Sequence, residues 1–263
     1  MGQVSGWPGG GDVNGFLDGI RWLFNGAHWA GTDGIPIRVW EHVQLSFIAL
    51  AIAALIAVPL GLLVGHTRRG QFVTVQLANV GRSVPSLAIL SIMFLVVVKS
   101  SPKLAFGFLP TIVALTLLGI PVILINTYVG IQQVDRDTVE AVRGMGMNGR
   151  QVLMHLEVPM ATPLIMTGLR LAAVQIVATA GLAALIAGGG LGRYIVDGYA
   201  LQDTPRIVAG SILISALAIA TDLVFTLLSR LASPRLTSRA RRPKEQKAAA
   251  YRPERPPEPG LPQ

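Results

Sequence analysis

The sequence contains no cysteine, and only 14% of its 263 residues are charged. Without cysteine there is no disulfide framework, no thiolate metal site and no cysteine nucleophile. An ordinary soluble domain carries about 25% charged residues, so the shortage of charge argues against a soluble enzyme. The 4 histidines are scattered, and no two of them stand at the spacing of metal ligands. We therefore expect neither a catalytic site nor a metal site in this chain.

Long apolar runs dominate the rest of the sequence, in which 51% of the residues are hydrophobic. About 20 apolar residues span a bilayer core of roughly 30 Å. Backbone polar groups in lipid must be satisfied within their own segment, so spanning runs form helices. We predict an all-α integral membrane protein with five transmembrane helices. The runs cover residues 43–65, 71–98, 104–134, 158–187 and 207–229.

The distribution of Lys and Arg predicts the orientation. With five spans and the N-terminus outside, 14 of these residues lie inside and 6 outside, as the positive-inside rule favours. Without the C-terminal tail the numbers become 5 and 6, so the orientation needs independent support. The net charge of +8 is typical of cytoplasmic loops in so apolar a chain, and we expect no nucleic-acid partner.

The polar segment between the third and fourth runs contains the pattern of a short amphipathic helix. Asp137 precedes Glu140 by three residues, a capping-box-like spacing that starts a helix. Gly144 and Gly146 can end that helix, because glycine readily adopts the left-handed conformation found after helix ends.

A second short helix follows in the same segment. Asn148 and Gln151 repeat the capping spacing, and we expect Pro159 to stop the helix. Both helices have apolar stripes, which suit docking into a groove of a partner protein. The alternative is an amphipathic loop that lies on the lipid surface.

This segment resembles the EAA signature of ABC importer permeases, in which Glu-Ala-Ala, three residues, Gly and nine residues precede Ile-x-Leu-Pro. The spacing is matched throughout, and the departures, at Val142, Leu156 and Val158, are all apolar. In that family the loop is cytoplasmic and docks into the ATPase subunit, which supports an N-terminus outside. The implied coupling residues are Glu140, Ala141, Gly146, Leu156 and Pro159.

Further segments extend the resemblance over roughly residues 35–232. Residues 82–90 resemble the second-helix break of methionine-type permeases, and residues 187–192 resemble the outer end of their fourth helix. Residues 40–46, with 59–61, resemble permeases for glycine betaine, carnitine, choline and proline. The resemblance implies the permease subunit of an ATP-driven importer of osmoprotectants. The alternatives are a permease for methionine or another amino acid, an ion-coupled secondary transporter and a membrane scaffold without transport.

The resemblance also implies the partners. The chain would form the pore with a second permease, as a homodimer or a heterodimer, in the cytoplasmic membrane of a bacterium. An ABC ATPase would dock on the inside and a separate substrate-binding protein on the outside. The Gly-rich residues 188–192 lack the Lys-Ser/Thr of a phosphate loop, so we expect ATP and Mg to be bound by the ATPase and no cofactor in this chain. An aromatic cage for a cationic substrate is expected in the binding protein.

Proline and glycine mark candidate pore or gate positions within the spans. Proline removes a backbone hydrogen bond and usually kinks a helix, and broken helices in membranes are tolerated where they line a cavity. The alternative role of these residues is close packing between helices. The candidates are Pro85, Ser86, Pro121, Gly188, Gly190 and Gly192.

Three charged residues lie within the apolar runs, at Arg82, Arg170 and Asp222. Charges within a membrane are costly and usually face a bundle interior or a water-filled cavity. Arg170 and Asp222 stand at compatible depths, so an ion pair is feasible, and Arg82 is the competing partner for Asp222. The alternative is that each side chain extends separately to the interface.

The two ends of the chain flank the transmembrane permease domain, residues 41–232. Residues 1–40 contain all 4 tryptophans and a helical apolar face, which is typical of an interfacial helix, here on the outer leaflet. The alternative is a poorly ordered leader. Residues 233–263 are rich in proline and charge, which predicts a disordered cytoplasmic tail whose basic residues contact anionic lipid.

Overall fold

The computed structural model describes residues 13–105, 108–186 and 188–232. Every regular element within these ranges is helical, which confirms the predicted all-α fold. The predicted disordered tail and the first 12 residues of the predicted outer segment lie outside the described residues.

Four helices in the described part of the chain are long and apolar enough to cross a membrane. Two more, α3 (Gln71–Ser83) and α4 (Ser86–Ser100), are bent by 95° relative to one another. The predicted number of five spans is reached when this bent pair crosses as one unit. The continuous spans are α2 (Ile35–Thr67), α6 (Leu109–Gln132), the helical unit Gly149–Ile186 and α11 (Thr204–Ala232).

The shorter elements lie at the two ends of the spans. The short helices are α1 (Val13–Phe24), α5 (Pro102–Ala105), α7 (Arg136–Gly144) and α10 (Gly192–Leu201). A 3-10 turn, Gly26–Trp29, follows α1, and α5 is a single turn.

The helical unit Gly149–Ile186 changes its winding along its length. Its segments are α8 (Gly149–Val152), a π-helical turn (Leu153–Glu157), α9 (Val158–Ala180) and a 3-10 segment (Gly181–Ile186). The expectation that Pro159 stops the second loop helix is wrong, because the chain continues without a break. The N–H of Val158 donates to the Leu153 carbonyl across the wide π turn, and proline is tolerated in the first turn of the helix that follows.

The core of the bundle is the contact of α2 with α6 and α9, and small residues make it close. A Cβ added to Gly61 would lie 2.7 Å from the Thr127 Cβ, and one added to Gly65 would lie 2.7 Å from the Ile131 Cβ. Small residues let membrane helices approach until their backbones nearly touch. The buried small residues of α2 are Ala49, Ala53, Ala57, Gly61 and Gly65.

The remaining helices pack around this core. α11 contacts α9 and α10, and α1 lies against the first turns of α11, where a Cβ added to Gly19 would lie 2.5 Å from the Val208 Cγ1. We call the end of the bundle that holds α7 and α8 the loop end, and the opposite end, which holds residues 188–192, the glycine end.

Candidate functional site

The first loop helix, α7, is capped by a residue other than the one expected. Asp135 is the N-cap, and its Oδ1 accepts a hydrogen bond from the Asp137 N–H at 2.8 Å. The expectation that Asp137 and Glu140 form the start signal is therefore wrong by two residues. A short acceptor side chain in extended conformation just before the helix decides the cap, and Asp135 has that conformation. Glu140 is left exposed on the helix surface.

The end of α7 depends on the backbone conformation of Gly146. The N–H of Gly146 donates to the Arg143 carbonyl at 2.9 Å, and that of Met147 to the Val142 carbonyl at 3.2 Å. These two bonds form a Schellman motif, which requires a left-handed residue after the helix. Gly146 has a φ of +93°, so any side chain there would strain the turn.

The second loop helix starts as the sequence predicts. The side chain of Asn148 accepts from the Gln151 N–H, and the Gln151 side chain accepts from the Asn148 N–H, both at 2.9 Å. This reciprocal capping box satisfies two backbone donors that the helix itself cannot. The loop therefore passes directly from a fixed turn into the long helical unit that crosses the bundle.

The apolar stripes of the two loop helices pack mainly against each other. Val139 and Val152 are buried in one cluster with Val134, so these residues are not available to a partner. Met145, which caps the end of α7, is 76% exposed. The surface that remains open includes the exposed residues Glu140, Ala141 and Met145.

A histidine–carboxylate hydrogen bond that the sequence analysis missed joins the loop to the first span. The Nδ1 of His66, in the last turn of α2, lies 2.5 Å from the Oε2 of Glu157 in the π turn. Glu157 is only 5% exposed, and a Cβ added to Gly149 would lie 3.4 Å from the His66 Nε2. Glu157 occupies the variable position of the signature, which is why the motif did not single it out.

A positively charged cleft of about 520 Å³ opens beside this hydrogen bond, at the loop end. Arginines from the end of α2 and from α7 line it, and within the described ranges none of them forms an ion pair. The four arginines outnumber the two carboxylates that also line the cleft, Glu140 and Glu157, so the cleft is positive overall. The arginines are Arg68, Arg69, Arg136 and Arg143.

The two prolines proposed as gate residues have different surroundings. Pro85 is the N-cap of α4 and follows the extended residue Val84, because a residue before proline is driven out of the helical region. Pro121 lies buried inside the continuous helix α6, and a Cβ added to Gly81 would lie 2.5 Å from its Cγ. Pro85 thus stands at the bend between α3 and α4, beside the half-buried Ser86, whereas Pro121 packs α6 against α3.

The glycine end is held by two polar residues of α2 that the sequence analysis did not single out. The Oε2 of Glu41 accepts from the Gly190 N–H at 2.8 Å, and the Nδ1 of His42 accepts from the Leu191 N–H at 3.3 Å. The Nε2 of His42 donates to the Val177 carbonyl at 2.9 Å, so the ring is neutral with its proton on Nε2. Both residues lie in the segment 40–46 that carries the family resemblance.

Three glycines allow the chain to fold back at this end. Gly190 has a φ of +83°, a conformation that favours glycine. A Cβ added to Gly188 would lie 2.6 Å from the Ala183 carbonyl oxygen, and one added to Gly192 would lie 2.0 Å from that of Gly181. These contacts explain the glycines by close backbone approach, and a gating role stays a prediction.

A charged network continues from Glu41 to the surface of the glycine end. The Nη1 of Arg38 lies 2.9 Å from Glu41 Oε2, and Arg38 also pairs with Asp33. The Tyr194 hydroxyl donates to the Asp33 carbonyl at 2.7 Å. Burial raises the pKa of Tyr194, against a smaller opposing effect of the nearby Arg38, so the hydroxyl stays protonated and remains a donor at neutral pH.

Asp222 pairs with Arg170 in the structure. The Nε and Nη2 of Arg170 donate to Oδ1 and Oδ2 of Asp222 at 2.6 and 2.7 Å. This bidentate geometry is the strong form of an arginine–carboxylate contact, and it ties α9 to α11. The side chain of Arg82, the competing partner, lies outside the described residues.

Comparison with known proteins gives consistent matches over the spans. A family model described as "Binding-protein-dependent transport system inner membrane component" matches residues 57–238. The chain is 35% identical over 198 residues to the glycine betaine/carnitine/choline transport system permease protein OpuCB of Bacillus subtilis (strain 168), which covers 75% of this chain and 88% of that protein. It is 34% identical over 205 residues to the carnitine transport permease protein OpuCB of Listeria monocytogenes, with 78% and 91% covered.

Solved structures show the same fold. An inward-facing structure of the MetNI methionine ABC transporter matches with a TM-score of 0.66 at 21% identity, covering 73% of this chain and 93% of that chain. A structure of an amino acid ABC transporter with histidines matches with a TM-score of 0.60 at 21% identity, covering 84% and 98%. At this level of identity the likeness concerns the fold alone.

Replacing His66 by Ala should lower the melting temperature of the purified chain. The change leaves the buried Glu157 without its hydrogen-bond partner, and an unsatisfied buried polar group costs about 1–3 kcal/mol, more when it is charged. The double variant His66→Ala with Glu157→Gln should recover part of the loss, because the carboxylate that needs the partner is gone. Thermal unfolding in detergent, followed by circular dichroism, measures both effects. His155→Ala is the control, since His155 is exposed; a double variant no more stable than the single one would contradict the account.

The pair of Arg170 and Asp222 should appear as non-additivity in a double-mutant cycle. Asp222→Asn and Arg170→Gln should each lower the melting temperature, and the double variant should melt close to the single variants, because the second change removes a contact already lost. The same measurement with Arg82→Gln in place of Arg170→Gln is the control and should give additive changes. Additive losses for Arg170 and Asp222 would show that the two charges are stabilised independently.

Proposed function

Because the chain belongs to the family of binding-protein-dependent transport system inner membrane components, we propose that it imports osmoprotectants such as glycine betaine, choline, carnitine and proline. In this proposal it forms the pore of an ATP-driven importer and is itself non-catalytic. ATP and Mg are bound by a separate ATPase. A second permease, either another copy or a sister chain, and an extracytoplasmic substrate-binding protein complete the transporter.

The likeness to osmoprotectant permeases is the observation that carries the substrate class. The relatives named for glycine betaine, carnitine or choline match about three quarters of this chain and nearly nine tenths of their own length. The match therefore covers most of this chain and most of each relative. The likeness to a methionine transporter, at 21% identity, supports the fold and gives no comparable support for methionine.

The geometry of the loop end supports coupling to an ATPase. The capped helix α7 presents Glu140, Ala141 and Met145 on an open surface, while its buried face packs against α8. The loop is thus a protruding helix whose conformation is already fixed by its contacts with α8, which suits docking into a groove of a partner. Because α8 continues into the Gly149–Ile186 unit, a movement imposed on the loop is passed to a helix that crosses the whole bundle.

The orientation in this proposal places the loop end in the cytoplasm and the N-terminus outside. The arginine-lined cleft supports it, since basic residues next to spans favour the cytoplasmic side. The glycine end then faces the binding protein. Closure of the ATPase pair would draw the loops together and switch the pore from inward-facing to outward-facing, so that the substrate passes from the binding protein into the cavity.

Uptake by the reconstituted complex tests the substrate. Proteoliposomes that contain the permease, its ATPase and its binding protein should accumulate radiolabelled glycine betaine only with ATP and Mg on the ATPase side. Choline, carnitine and proline should compete for this uptake. Competition by methionine alone would favour the amino-acid alternative, and uptake driven by an ion gradient without ATP would overturn the proposal in favour of a secondary transporter.

Two neighbouring glycines of the loop provide a matched test of coupling. Gly146→Ala should reduce uptake strongly, because a side chain at φ +93° strains the turn by about 1–2 kcal/mol and reorients the docking surface. Gly144→Ala should leave uptake nearly unchanged, since Gly144 has no positive φ and open space around it. Co-purification of the ATPase with each variant reports docking separately from transport. Equal uptake by the two variants would contradict the role of Gly146.

A further inference from the structure

We propose that a cleft at the glycine end binds a small zwitterion, a molecule that carries a carboxylate together with a quaternary or secondary amine. The cleft has a volume of about 250 Å³ and is lined by residues of α1, the following 3-10 turn, α10 and α11. Pockets for drug-sized ligands measure about 300–1,000 Å³, so a cleft of this size suits a smaller molecule.

Aromatic rings form one part of the cleft. The rings of Trp22 and His28 are stacked at 3.7 Å, and Trp22 meets Tyr194 edge-on at 5.4 Å. The His28 Nδ1 donates to the Trp22 carbonyl at 2.8 Å, which fixes the stacked ring. Electron-rich faces of aromatic rings attract ammonium groups, and quaternary amines most characteristically.

Arg206 supplies a receptor for a carboxylate. Its Nη2 lies 3.2 Å from Asp197 Oδ2, and its guanidinium lies 5.8 Å from the centre of the Tyr194 ring. Arg206 lines the cleft, and its side chain is 23% exposed. A guanidinium matches a carboxylate in shape and charge. A ligand carboxylate in the cleft would pair with the exposed part of this guanidinium.

Two acidic residues give the cleft the opposite charge as well. Asp203 accepts the backbone N–H of Arg206 at 3.2 Å and forms no ion pair within the described ranges. Asp33 lines the cleft and pairs with Arg38. A simple anion would meet these carboxylates, and a simple cation would meet Arg206. A ligand that carries both charges satisfies both groups.

The cleft is joined to the loop of residues 188–192. Tyr194 donates to the Asp33 carbonyl, and Arg38 links Asp33 to Glu41, which holds the Gly190 N–H. A ligand in the cleft would therefore contact the residues that position this loop. The choice of glycine betaine as the probe below rests on the proposed function, whereas the cleft and its charges do not.

Direct binding to the permease alone tests the inference. The full chain in lipid nanodiscs, without ATPase or binding protein, should bind radiolabelled glycine betaine saturably in a scintillation proximity assay. Arg206→Gln and Trp22→Leu should each weaken binding at least ten-fold. Arg193→Gln is the matched control and should bind as the unchanged chain does, because Arg193 pairs with the same Asp197 at 2.8 Å but does not line the cleft. Choline and acetate, which each carry one of the two charges, should compete at least ten-fold more weakly than unlabelled glycine betaine.

Folding of each variant is checked by gel filtration and circular dichroism. If one variant does not fold, the binding measured for the other variant tests the inference. Absence of saturable binding to the unchanged chain, or unaltered binding by a folded Arg206→Gln or Trp22→Leu variant, would overturn the inference. Uptake of glycine betaine by the complete complex without binding to the chain alone would overturn the cleft and leave the proposed function standing. Binding to the chain without uptake by the complex would overturn the proposed function and leave the cleft standing.

Discussion

Close contact between α2 and its neighbours α6 and α9 is the constraint on which the rest of the bundle depends. Lipid tails are as apolar as leucine side chains, so helices in a membrane associate through tight packing rather than through the hydrophobic effect. Glycine and alanine along one face of α2 provide that packing, because a single added methyl at Gly61 or Gly65 would collide with α6. In the middle of the contact the Thr116 hydroxyl donates to the Ala49 carbonyl at 3.3 Å. The hydrogen bonds of Glu41, His42 and His66 lie towards the two ends of α2.

Two of these hydrogen bonds join α2 to the Gly149–Ile186 unit at both of its ends. His66 meets Glu157 at the loop end, and His42 meets the Val177 carbonyl near the glycine end. Polar groups cost least where water or a partner satisfies them, and these positions at the ends of the spans meet that requirement. Because hydrogen bonds join α2 to the helical unit at both ends and close packing joins them in between, we expect the two to move together. Glu41, on the same helix as both histidines, also joins α2 to the loop at Gly190.

The sequence predicted the spans and the loop better than it predicted the hydrogen bonds that join α2 to distant parts of the chain. Apolar runs of about 20 residues and the Asn148–Gln151 capping box are local signals, and both were found. Glu41, His42, His66 and Glu157 act across 91 to 149 positions of sequence, and no local pattern reveals such a partner. These residues stand at the ends of apolar runs, where polar residues are expected in any membrane protein, so their positions did not mark them as special.

Proline was the least transferable signal, because its effect depends on the turn that precedes it. The same residue type ends a helix at Pro85, packs inside an unbroken helix at Pro121 and follows a π turn at Pro159. The third case has a consequence for coupling. Had Pro159 stopped the loop helix, the loop could swing independently of the spans. Since the helix continues, and Arg170 ties it to α11 while His66 ties its start to α2, we expect a displacement of the loop to be passed on to these three spans.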